Sequence, residues 1–270
     1  MKSKNLKSTA SMMLLLCAVV TALSFNSCKK ENPVVTYKDG EIPGLGNTEG
    51  DLTGTPFKLP EGVELTGTIT GDADNYFYWE FDWGYDGMPS YSFINKKGKV
   101  ETKSLSPKRA DEEIHYFGSG PGYVDLLIPL RNKLTTAITV TFPAATIIRS
   151  QDGDCQNGVL LKKVVITIPA SSEYKLCLSM YCGNLSKHSA GSSDVYVWAV
   201  VSDAKPILDL CDMVKNKKIN IEEYDSTSYD EYQIYNSIVN KLQDIVWDIT
   251  DYYGMDEYSI EEVLALPNSN

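Results

Sequence analysis

From Val63 to Ser202 apolar residues recur at about every second position, in short runs bounded by Gly, Asn and Asp. The runs are VELTGTIT, NYFYWEF, SYSFI, KVETKSL, IHYF, YVDLLIPL, TTAITVTF, VLLKKVVITI, YKLCLSMY and VYVWAVV. Within TTAITVTF, Ile138, Val140 and Phe142 alternate with Thr139 and Thr141, so one set faces a core and the other faces away. The intervening GDADN, NKKG, GSGPG, QDGDCQNG and CGNLSK have turn or loop composition. Short alternating strands with frequent turns, and no repeat of fixed length, predict an antiparallel β-sandwich over residues 61–202.

After Ser202 the period lengthens. AKPILDLCDMVKNKK puts Ile207, Leu208, Leu210, Cys211 and Val214 on one helical stripe, with Pro206 near its start. In YDEYQIYNSIVNKLQDIVWDIT the residues Tyr235, Ile238, Val239, Leu242, Val246 and Ile249 recur at three and four, and Gly254 closes the helix. SIEEVLAL predicts a last helix with Ser259 as N-cap, Glu262 completing a capping box, and Pro267 as a stop. Residues 203–270 are therefore expected as a small helical C-terminal cap packed on the sandwich, in a mainly β fold with α.

The N-terminus adds an address. Lys2, Lys4 and Lys7 precede the apolar run MMLLLCAVV, which is too short to span a bilayer and reads as a signal peptide over residues 1–27. Ser27-Cys28, at the end of SFNSC and before a polar tail, resembles the lipobox of Bacteroides-type surface lipoproteins. The resemblance implies cleavage before Cys28 and acylation of that residue. Several acyl chains, each contributing about 0.8 kcal/mol per buried methylene, hold such a protein at an outer membrane, facing the cell surface or the periplasm. Residues 28–60, as in KDGEIPGLGNTEGDLTGTP, show no periodicity and are expected as the lipidated cysteine and a flexible tether.

Charge narrows the partners. The whole chain carries −11, and removing residues 1–27 removes three lysines and no acid, which gives −14. A net anion is repelled by nucleic acid, so no nucleic-acid partner is expected. Much of the excess lies from Asp203 onward, where 15 acids face 5 lysines and form a solvated acidic face.

Few residues offer chemistry. The histidines are His115 and His188, and neither CxxC nor HxxxH occurs, so no metal site and no cofactor are expected. His188 lies near Ser186, Ser189 and Asp194, but without a GxSxG turn these read as a polar loop, and no enzyme activity is expected. Cys155, Cys177, Cys182 and Cys211 could form two disulfides in three ways, though four thiols in so long a chain make no disulfide framework. In YFYWEFDWGYDG, Trp79, Trp83 and Tyr85 stand beside carboxylates and could contact a glycan; alternation also assigns several of these aromatics to a core.

The most specific signal joins two distant fragments, MYCGN (Met180–Asn184) and LQDIVWDIT (Leu242–Thr250). Together they resemble the paired motifs of bacterial thioester domains found in adhesins. Tyr181-Cys182 matches the aromatic-Cys motif at a strand end, and Leu242-Gln243-Asp244-Ile245-Val246-Trp247 matches the helical hydrophobic-Gln-x-x-hydrophobic-hydrophobic motif. Gly183 departs from the pattern, standing where the family usually has an apolar residue. The resemblance covers about the last 100 residues. It implies that the Cys182 thiol and the Gln243 carboxamide condense to an internal thioester, which acylates an amine on a host or neighbouring surface protein. Noncovalent adhesion, or glycan binding through Trp79, Trp83 and Tyr85, is the alternative.

Overall fold

A computed structural model describes residues 36–38, 40–72, 92–94, 100–102 and 114–269. In chain order the strands are β1 (Gly54–Pro56), β2 (Val63–Leu65), β3 (Ile69–Gly71), β4 (Ser92–Ile94), β5 (Val100–Thr102), β6 (Ile114–Gly118), β7 (Val124–Asn132), β8 (Ile138–Phe142), β9 (Thr146–Ser150), β10 (Gly158–Val159), β11 (Val164–Ile168), β12 (Glu173–Cys182) and β13 (Val195–Ser202). The helices are α1 (Lys205–Val214), α2 (Tyr229–Asp251) and α3 (Glu257–Leu264). The expectation of a mainly β fold with C-terminal helices is met, and no helix among the described residues is long and apolar enough to cross a membrane.

The strands close on themselves instead of stacking as two separate sheets. The order β7-β3-β13-β9-β10-β12 returns to β7 through an antiparallel β12–β7 pairing that runs from Glu173↔Arg131 to Met180↔Val124. Six strands thus form a closed barrel, with β2 and β6 added alongside, β1 paired to β13, and β8–β11 and β4–β5 as separate two-stranded sheets. Alternation along a strand reports one buried face and is silent on what covers it, which is why the expected sandwich gives way to a barrel. The closing strand, β12, is ten residues long and has neighbours on both sides: β7 on one, β6 and then β10 on the other.

Barrel closure divides the core in two. Leu176, Leu178, Met180 and Cys182 of β12 point inward with Val124, Leu126, Ile128 and Leu130 of β7. Outside, Ile147, Val159, Leu161 and Tyr181 pack against Ile207, Leu210 and Cys211 of α1 and Ile238, Leu242, Val246 and Ile249 of α2. Strand β9 has no counterpart among the expected runs because Thr146, Ile147 and Ile148 are all buried, so the alternation that announces a strand is missing. VLLKKVVITI divides into β10 and β11, with Leu160 and Leu161 buried between them.

Two boundaries move. Residues 40–60 are not a flexible tether: Ile42 and Leu45 are buried in the outer core, and β1 pairs with β13 from Gly54↔Ser202 to Pro56↔Val200. The glycines there build turns that let the segment lie close to α2. Gly46 has φ +56, and a Cβ on it would stand 1.9 Å from the Thr250 carbonyl oxygen, so only glycine fits. Helix α3 starts earlier than expected, with Asp256 as the cap accepting from the Ser259 N–H at 2.7 Å. Glu262 is thereby free to meet Lys241 of α2 at 2.7 Å. Helix α2 matches its periodicity: Ser228 caps it, and the Gly254 N–H donates to the Asp248 carbonyl at 2.8 Å to end it.

Candidate functional site

The structure brings Cys182 and Gln243 together at the barrel corner where the β7 pairing stops and β12 continues. The Gly183 N–H donates to the Asn157 carbonyl at 2.8 Å, on the β10 side of β12. Cys182, one residue earlier, therefore turns its own N–H and C=O to the opposite side. There β7 offers no partner, because its pairing with β12 stops at Met180↔Val124, the first residue of β7. Gln243 fills the gap. Its Oε1 accepts from the Cys182 N–H at 2.8 Å, and its Nε2 donates to the Cys182 carbonyl at 2.9 Å. The carboxamide replaces one residue of a neighbouring strand, so its plane is held by two bonds in a site where Gln243 is 1 % exposed.

Placement on α2 follows from helical spacing. Gln243 comes four residues after Val239 and one after Leu242, both in the outer core, so its side chain faces the barrel and not solvent. Trp247, one turn further along, shares that face and donates its Nε1–H to the Cys182 Sγ at 3.3 Å. A second donor, the Asn184 backbone N–H, reaches the same sulfur at 3.4 Å. Burial pushes the Cys182 thiol up to about 11, against the opposing pull of these two donors. At neutral pH the group is a neutral thiol.

The loop after Cys182 is held by asparagines and by residues 40–50. Asn184 accepts from the Asn157 N–H at 3.0 Å and donates to the Gly46 carbonyl at 2.9 Å, while Asn157 donates through Nδ2 to the Gly44 carbonyl at 3.0 Å. The Gly46 N–H donates to the Gly183 carbonyl at 2.7 Å. This arrangement explains the departure at Gly183. A Cβ there would stand 2.8 Å from Leu45 Cδ2 and 3.1 Å from Val159 Cγ2. Leu45, from a distant part of the chain, occupies the space that an apolar side chain at 183 would need.

The other thiols have different surroundings. Cys155, Cys177, Cys182 and Cys211 are all buried and unpaired, which removes the disulfide alternatives. His115 stacks on Tyr174 with ring centroids 4.2 Å apart; Ser186 bonds to Asn47, and Asp194 accepts from the Gly191 N–H. Among the described residues no group of three or more His, Cys, Asp and Glu could hold a metal ion. Cys28, Trp79, Trp83 and Tyr85 lie outside the described residues.

Sequence reasoning named Cys182 and Gln243 but not Leu45, Asn157 and Asn184, and it read Trp247 only as an apolar motif position. Trp247 carried a usable signal, since a polar N–H four residues after Gln243 shares its helical face. No protein-family model, no curated protein and no solved structure matches this chain.

Proposed function

We propose that this is a lipid-anchored surface adhesion protein that binds amines covalently through a Cys182–Gln243 thioester. The observation that carries the reading is the carboxamide of Gln243 clamped by two hydrogen bonds onto the backbone of the residue whose thiol would attack it. In the forming step Sγ of Cys182 bonds to Cδ of Gln243, the C–N bond breaks, and the amide nitrogen leaves as ammonia with the thiol proton. In the adhesion step an amine nitrogen takes the acyl carbon and Cys182 regains its thiol.

Such steps need held geometry, because a free carboxamide resists a thiol; fixed placement contributes roughly 7 to 11 kcal/mol towards barriers of this kind. The buried setting is compatible with the product as well. Burial penalises a thiolate, but a thioester sulfur carries no charge and meets no such penalty. Within the reading, the lipid at Cys28 keeps the protein at the membrane and the thioester joins it to a neighbouring surface protein.

Methylamine supplies the test. It should add at Gln243 in the wild-type protein and expose one alkylatable thiol at Cys182, and neither Cys182→Ala nor Gln243→Ala should take it up. Uptake that survives Gln243→Ala would overturn the reading. Cys28→Ser should release the protein from membranes into the exported soluble fraction, and retention in the membrane would remove the anchor.

A further inference from the structure

Two N–H groups converge on the one sulfur at the corner, and neither is needed to hold the Gln243 carboxamide. The Trp247 indole N–H lies 3.3 Å from Sγ and the Asn184 backbone N–H lies 3.4 Å from it. The indole is itself held: Tyr123 stacks obliquely on it with centroids 5.6 Å apart, and the Asn184 backbone is fixed by its side-chain bonds to Asn157 and Gly46. Burial alone favours an uncharged sulfur, so donors aimed at it matter most when charge appears there.

We infer that Trp247 Nε1–H and the Asn184 N–H form a two-donor hole for the departing sulfur of Cys182, making Trp247 a catalytic residue of amine transfer. The inference rests on the thioester reading above. As the amine nitrogen bonds to Cδ of Gln243, the C–S bond breaks and its electron pair goes to Sγ. The proton lost by the attacking amine then neutralises that sulfur as the thiol. Negative charge on sulfur is therefore transient, and hydrogen bonds to a charged group are stronger than those to a neutral one. The same donors contact a neutral sulfur only weakly before reaction, so their gain falls on the transition state. Tyr123 is 36 % exposed and Trp247 partly exposed, so through this pair the buried sulfur is one side chain away from the molecular surface.

Trp247→Phe keeps an aromatic ring against Tyr123 and removes the N–H. The variant should still lose one ammonia on thioester formation, while methylamine transfer slows by roughly ten- to a hundredfold, the range expected for one hydrogen bond to a charged group. The Cys182 thiol liberated in this variant should also need a higher pH for alkylation than in the wild type. Tyr123→Ala, which loosens the ring but leaves the N–H, should not reproduce that alkylation shift. A wild-type transfer rate in Trp247→Phe, with ammonia lost as usual, overturns the inference and leaves the thioester standing. A wild-type protein that never loses ammonia removes the thioester itself and this role with it. Should Trp247→Phe fail to fold, 5-fluorotryptophan in place of tryptophan gives the same shape with a stronger N–H donor. Transfer should then quicken, and an unchanged rate overturns the inference.

Discussion

The Cys182 corner and the Cys211 seam each bury a thiol, but they surround it differently. Cys211 lies between α1 and the barrel, 6 % exposed, with the Leu160 carbonyl 4.0 Å from its sulfur; burial pushes its thiol up to about 12, against backbone hydrogen bonds from Ala145 and from Cys211 itself. Cys182, wholly buried, reaches about 11, with two N–H donors on its sulfur and a carboxamide on its backbone. The burial is alike. The difference is in the side chains: Gln243 and Trp247 of α2 reach Cys182, with the Asn184 N–H beside them, whereas Cys211 meets only backbone groups, of Leu160, Ala145 and itself, and packs among apolar side chains. Burial of a cysteine alone therefore says little about its chemistry, and the groups aimed at its sulfur say more.

The largest effect is expected from Leu45→Ala. Truncating a wholly buried leucine costs about 2–5 kcal/mol, and here it also opens the space beside Gly183. Leu210→Ala at the Cys211 seam should cost a similar amount in urea unfolding. Only Leu45→Ala should reduce ammonia loss as well, and equal ammonia loss in both variants would break the distinction between the regions.

Asn184→Ala should act next. It leaves the Asn157 N–H and the Gly46 carbonyl without these partners, at roughly 1–3 kcal/mol in total, and it should slow thioester formation by letting the loop move. Cys211→Ala is the control, with a small stability cost and unchanged ammonia loss.

The smallest effect concerns pH. Burial, followed by repulsion from Asp72, raises the Asp125 carboxyl to about 6 against a hydrogen bond from Ser179. The native state thus holds this proton more tightly than the unfolded chain does. Stability is full below the ordinary carboxylate range and is lost as pH rises from about 4 through about 6. Asp125→Asn should flatten that limb and gain on the order of 1 kcal/mol at pH 7 in urea unfolding. It should leave ammonia loss untouched.

How much of this was legible depended on the range of the contact. Helices α1 and α2 follow from their own stripes, and β12 and β7 from alternation, because burial of one face writes a period into a single segment. Barrel closure is a relation between β7 and β12, some fifty residues apart, and leaves no local mark. Residues 40–50 hide their packing for a related reason. Their glycines serve close approach to Thr250 and Gly183, but by composition alone they read as a linker. Cys182 and Gln243 were nameable because each sits in a short motif, whereas the contacts of Leu45 with Gly183 and of the Asn184 N–H with the Cys182 sulfur leave no period or composition that marks them.

The intact mass of the untreated Cys28→Ser protein, which carries no acyl chain, tests the central claim most directly. The account predicts a mass lower than the processed sequence requires by one ammonia, with the calculated mass restored in Cys182→Ala and in Gln243→Ala. The full calculated mass in the untreated protein, with Cys182 alkylating only after unfolding, would contradict it and leave Gln243 as a side chain that completes a strand edge.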